Sequence, residues 1–156
     1  MRQFLAALVL LVAALPARAE IAIQTLTSPG GFDAWLVEEH SIPFVALELR
    51  FRGGTSLDAP GKRGAVNLMT GLLEEGAAEM DSRAFATARE ELAARIRFDS
   101  DDDTVSVSAQ VLTENRDEAM ALLRAALVEP RFDADAVERV RGQVLANLKN
   151  CEKDPN

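Results

Sequence analysis

The chain has one cysteine, one histidine and no cluster of basic residues, and each shortage removes a class of function. Cys151 alone excludes an internal disulfide; it sits in the charged terminal stretch NCEKDPN, where a free thiol is the plain expectation and an intermolecular bridge the alternative. His40 alone means that a multi-histidine metal site, or a Ser–His relay, would depend on that one residue. It lies in the turn-like run Glu38-Glu39-His40-Ser41, where a solvated histidine is expected. Lysine and arginine total 17 against 25 acidic residues, a formal charge of −8, with no aromatic residues interleaved among the cations. Such a surface repels phosphate backbones and excludes nucleic acid as a partner. Long apolar runs are absent but for residues 4–15, twelve residues that are too few to cross a bilayer comfortably and that Pro16 ends. No internal repeat is visible.

What is present begins with a targeting signal. Arg2 gives a positive start, the apolar run follows, and Ala17-Arg18-Ala19 forms an A-x-A cleavage site, so residues 1–19 read as a signal peptide. A mature chain would begin at Glu20 and be periplasmic or secreted, with no stable membrane insertion after cleavage. Removing Arg2 and Arg18 leaves fifteen basic residues against twenty-five acidic, a formal charge of −10. The full chain is 48% apolar, and its mature part supports a single modest core.

Several strands follow from period-two patterning. Residues 21–27 and 32–39 flank a Ser-Pro-Gly-Gly turn. In residues 44–52, Val45, Leu47, Leu49 and Phe51 alternate with Glu48, Arg50 and Arg52, which suits a sheet with one buried face. Residues 104–111 alternate Val105, Val107, Ala109 and Val111 with Thr104, Ser106, Ser108 and Gln110. Helical spacing predicts a helix over 64–76 and another capped by Ser82 that presents Phe85, Ala88, Leu92 and Ile96. A third is expected to start at a capping box of Asn115 and Glu118 and to stop at Pro130; a fourth, opened by Asp133 or Asp135, carries Val137, Val140, Val144 and Leu148. Strands gathered before and between helix pairs argue an α+β fold, an antiparallel sheet with helix pairs packed on one face.

In GAVNLMTGLLEEG, residues 64–76, two stripes emerge. Ala65, Leu68, Met69 and Leu72 form an apolar one, while Asn67, Thr70, Gly71 and Glu74 fall at i, i+3, i+4 and i+7 and line another that a cleft would see. Glu74 and Glu75 diverge by about 100° on a helix and cannot act as one catalytic pair. The acidic run Asp99, Asp101, Asp102, Asp103 lacks the glycine and the bidentate glutamate of an EF-hand loop, so it reads as a solvated hairpin tip rather than a calcium site.

The approach to this helix, LELRFRGGTSLDAPGKRGAVNLMTGLLEEG, resembles the N-terminal core of the insulinase/pitrilysin family of zinc metallopeptidases. Gly-Gly-Thr, the Pro-Gly-Lys-x-Gly turn and the Leu-Leu-Glu-Glu-Gly end match in order. The resemblance implies an insulinase-like half-domain whose repeating unit continues through further strands, so residues 20–156 are expected to be its N-terminal part, incomplete at the C-terminus. Active members carry His-x-x-Glu-His on this helix, two histidines holding Zn²⁺ and the glutamate activating its water. Here the three places are Asn67, Thr70 and Gly71, and the later glutamate ligand falls at Asn147. Asn is a poor neutral ligand for Zn²⁺, Thr is no base near neutral pH, and Gly has no side chain.

The resemblance therefore implies a non-catalytic member without cofactor, zinc being expected only in an active partner subunit. In such enzymes an edge strand beside the metal takes the substrate peptide as an extra strand; Ile96, Arg97 and Phe98 hold that position here. Backbone pairing needs no particular side chain, so an extended peptide is an expected ligand even without zinc. The expected function is that of a partner subunit that aids peptide binding. The alternatives are a zinc-dependent endopeptidase with atypical ligands and a truncated product with no function of its own.

Overall fold

The computed structural model describes residues 22–153, and the side chains of Asn147, Leu148, Asn150 and residues 151–153 lie outside it. The signal-peptide assignment of residues 1–19 and the position of the Cys151 thiol therefore fall outside the described residues. The chain divides into two compact units, Met1–Ile42 and Pro43–Asn156.

The first unit contains a hairpin of β1 (Ile23–Thr27) and β2 (Asp33–Val37), antiparallel with Ile23 opposite Val37 and Thr27 opposite Asp33. Its turn is built as the Ser-Pro-Gly-Gly run predicts. Gly31 takes φ +80°, Ser28 N donates to Phe32 O at 2.8 Å, and Thr27 Oγ1 donates to Asp33 Oδ1 at 2.7 Å. His40 is 84% exposed and stands 3.3 Å from Glu38, a solvated position as its sequence context implies.

In the second unit, β3 (Phe44–Arg52), β6 (Arg95–Ser100) and β7 (Thr104–Leu112) form an antiparallel sheet in the order β3-β7-β6. Val45, Leu47 and Leu49 stand opposite Val111, Ala109 and Val107, and Ile96 and Phe98 stand opposite Ala109 and Val107, so every apolar set shares one face. On that face pack α2 (Ser82–Glu91) and α3 (Arg116–Val128), together with Leu73, which caps the C-terminus of α1 (Ala65–Leu72). Phe85, Val107 and Val111 are fully buried there. Each such side chain contributes on the order of 1.5–3 kcal/mol. The long helix α4 (Ala134–Lys153) packs against α1 instead, through Leu72, Ala136 and Val140 with Leu68, Val137 and Val144 around them. Between α1 and α2 a small ladder of β4 (Gly76–Ala77) and β5 (Met80–Asp81) joins the two.

Two local expectations are corrected. The cap of α2 is Asp81, whose carboxylate accepts from Ala84 N at 2.8 Å; Ser82 instead donates to Glu75 at 2.7 Å. No capping box starts α3, because the Asn115 amide turns away to donate to Leu92 O at 3.0 Å. The acidic tip of the β6–β7 hairpin is exposed, as its sequence implies, and its backbone is also held. The Gly53 to Ser56 segment clasps it, with Gly53 N on Asp103 O at 2.7 Å, Thr55 N on Asp101 O and Ser56 N on Asp102 O at 2.9 Å. Gly54 is buried against this tip, and a Cβ there would collide with Asp101 O.

Candidate functional site

The helix α1 is started by a residue from outside it. Asp58 accepts from Gly64 N at 2.6 Å and from Val66 N at 3.0 Å, satisfying two amides that a helix start leaves free. Gly64, in the left-handed region at φ +92°, turns the chain into the helix. The Pro-Gly-Lys-x-Gly run thus folds back so that one carboxylate can fix the helix start.

Once set, α1 is buried on two sides, and of its polar stripe Asn67 and Gly71 are exposed and Glu74 borders an open depression beside β6, whereas Thr70 turns inward. Thr70 is 4% exposed; its Oγ1 donates to Asn67 O at 2.9 Å and lies 3.4 Å from Ser100 Oγ. Gly71 is pressed on by α4, since a Cβ there would stand 2.9 Å from Val140 Cγ1. Asn67 is exposed, and the Asn147 side chain lies outside the described residues. Of the apolar stripe, Leu72 is buried but Ala65 and Met69 are exposed. At the helix end the two glutamates diverge as expected. Glu74 pairs with Arg89 at 2.6 Å, and Glu75 pairs with Arg139 and accepts from Ser82.

The second element of the site is β6. Among the described residues it pairs only with β7, so its other edge presents free backbone donors and acceptors. Beside that edge lies an open depression of about 420 Å³, bounded by Glu74, Arg89 and the strand itself from Ala94 to Asp99. The structure brings the three predicted edge residues together but assigns them unequal parts. Ile96 and Phe98 point into the core at 3% and 7% exposure, so they can offer an added strand only backbone, whereas Arg97 points to the helix-free face. Sequence reasoning did not pick out Arg95 as Arg97's companion. The signal was available in the alternation of Arg95, Arg97 and Asp99 with Ile96, Phe98 and Ser100.

The helix that carries Asn67, Thr70 and Gly71 thus packs beside a strand whose outer edge is open among the described residues. The sequence profile of the insulinase family (peptidase family M16) matches residues 34–156, and the chain belongs to that family. Over 117 residues it is 33% identical to the non-peptidase homolog YmxG of Helicobacter pylori, an alignment that covers 75% of this chain and 27% of that protein. The chain thus spans about a quarter of that relative's length. Among solved structures, the peptidase M16 inactive domain from Pseudomonas fluorescens superposes with a TM-score of 0.80 at 28% identity, over 86% of this chain and 33% of that one. Pitrilysin superposes with a TM-score of 0.71 at 17% identity, over 85% of this chain and 14% of that one, which shows the shared fold. These likenesses bear out the α+β architecture and the family resemblance.

Proposed function

We propose that the chain is a non-catalytic, exported insulinase-family subunit that holds extended peptide along β6 for an active zinc peptidase partner. The observation that carries this reading is the state of α1. The three motif places hold Asn67, a buried Thr70 and a Gly71 packed on Val140, while the peptide-accepting edge beside them stays open. Loss of the metal ligands removes water activation, yet strand addition draws only on backbone groups, so binding outlives catalysis. The names of its relatives, a non-peptidase homolog and an inactive domain, support the non-catalytic part of this reading.

The test is to express the chain in full with an affinity tag and recover it from the periplasmic fraction. A mature N-terminus at Glu20 and co-purification of a zinc peptidase bearing an intact His-x-x-Glu-His motif are the expected results. An intact Met1 terminus in the cytoplasmic fraction would refute export. Recovery of the chain without such a peptidase, under conditions where both are expressed, would refute the partner role.

A further inference from the structure

We infer that the strand held by β6 is an acidic one, recognised through Arg95 and Arg97 by carboxylates at alternate positions. The inference rests on the proposed role of β6 as a peptide-holding edge and names the chemistry of what it holds.

Arg95 and Arg97 lie two apart on one strand, so both side chains leave the sheet on its helix-free face. Both are exposed, and across the strand they face the uncharged Gln110 and Ser108. Some arginines on this unit's surface have a carboxylate beside them, as Arg50 has Glu48 at 3.2 Å and Arg116 has Asp117 at 2.8 Å. No carboxylate of the described residues lies within ion-pair distance of Arg95 or Arg97. Two like charges side by side on one sheet face repel each other, and the one carboxylate next to them on that face of β6, Asp99, lies beyond ion-pair distance of both. In a chain with a formal charge of −8, two neighbouring cations without an ion pair among the described residues, at the one predicted peptide edge, point to an anion supplied from outside.

The geometry fixes where that anion belongs. Arg95 and Arg97 line a shallow groove with Ala46, Glu48, Ser108 and Gln110 on the helix-free face. A peptide added antiparallel or parallel to β6 sends alternate side chains to this same face, about 5 Å from their cross-strand neighbours. Acidic residues two apart in such a peptide therefore sit beside Arg95 and Arg97. The residues between them turn to the other face, toward the depression bounded by Glu74 and Arg89. Arginine suits the task, because its planar fork meets a carboxylate with two parallel hydrogen bonds.

The experiment uses the full chain and three capped octapeptides that alternate threonine with glutamate, glutamine or lysine. Binding is measured by calorimetry at low salt, and strand addition is followed independently by hydrogen-exchange protection of the β6 amides. The glutamate peptide is expected to bind about tenfold more tightly than the glutamine one, the gap shrinking as salt is raised. The Arg95→Glu/Arg97→Glu double variant, altered only at exposed positions, should reverse the order in favour of the lysine peptide. Equal affinity for the glutamate and glutamine peptides, with β6 protected by both, would overturn the acidic preference while leaving the edge in place. Binding and protection by none of the three would overturn the edge itself, and this inference with it.

Discussion

Asp58 lies outside α1 and yet decides where it begins, because its two carboxylate oxygens each take an amide, of Gly64 and of Val66. A negative charge there also favours the helix dipole. Asp58→Ala should cost about 1–2 kcal/mol of stability, as helix caps do. A denaturation midpoint unchanged within error would show that water replaces the carboxylate at no loss. At the start of α3, Asp117 is held below the usual carboxylate range by the hydrogen bond and charge of Arg116. A lowered folded value means that its contribution is present above the pKa of the unfolded chain and is lost as pH falls through the folded one. The pair is fully exposed, so the effect is small. Asp117→Asn should therefore be slightly less stable than the parent at neutral pH, and the difference between their melting curves should close on acidification.

At the scale of elements, the clasp between Gly53–Ser56 and the β6–β7 tip explains why paired glycines follow β3. Gly53 adopts φ +100°, and Gly54 meets the Asp101 carbonyl too closely for any side chain. Gly54→Ala should destabilise by about 3 kcal/mol through this overlap, read from chemical denaturation. Retention of full stability would mean that the tip moves aside freely. Strands such as β3 and β7 were legible because each buries one face, and a period of two records that directly. Caps were less so. Asp81 and Ser82 are both good capping residues, and the choice between them rests on Glu75, which takes the Ser82 hydroxyl. The stripes on α1 misled for a related reason: a helix held between the sheet and α4 has two buried faces, so Thr70 is buried while Met69 is half exposed. Which polar residue faces a cleft depends on α4, far along the chain, and local spacing carries no record of it.

For the whole molecule, the expectation is that the chain binds no catalytic zinc and cleaves no peptide by itself. Tight zinc binding at such a site takes three protein ligands and an open position for water, and the places on α1 offer an exposed Asn67 and a Gly71 without a side chain. Among the described residues no group of three or more His, Cys, Asp or Glu is placed to hold a metal. Writing back the family residues at Asn67, Thr70, Gly71 and Asn147 should not suffice in this setting. Thr70→Glu would put a carboxylate at a buried place beside Ser100, and Gly71→His would bring its Cβ to 2.9 Å from Val140 Cγ1. The fourfold variant should thus lose several kcal/mol of stability before gaining a metal, by burying a charge and overpacking one contact. Relief requires a smaller residue at Val140 as well. Elemental analysis of the purified chain, with peptide cleavage assayed in the presence and absence of a chelator, is the decisive measurement. Substoichiometric zinc and no chelator-sensitive cleavage are expected for the unaltered chain. Stoichiometric zinc with cleavage that a chelator abolishes would mean that the metal is held by residues other than these four, and would return the chain to the catalytic side of its family.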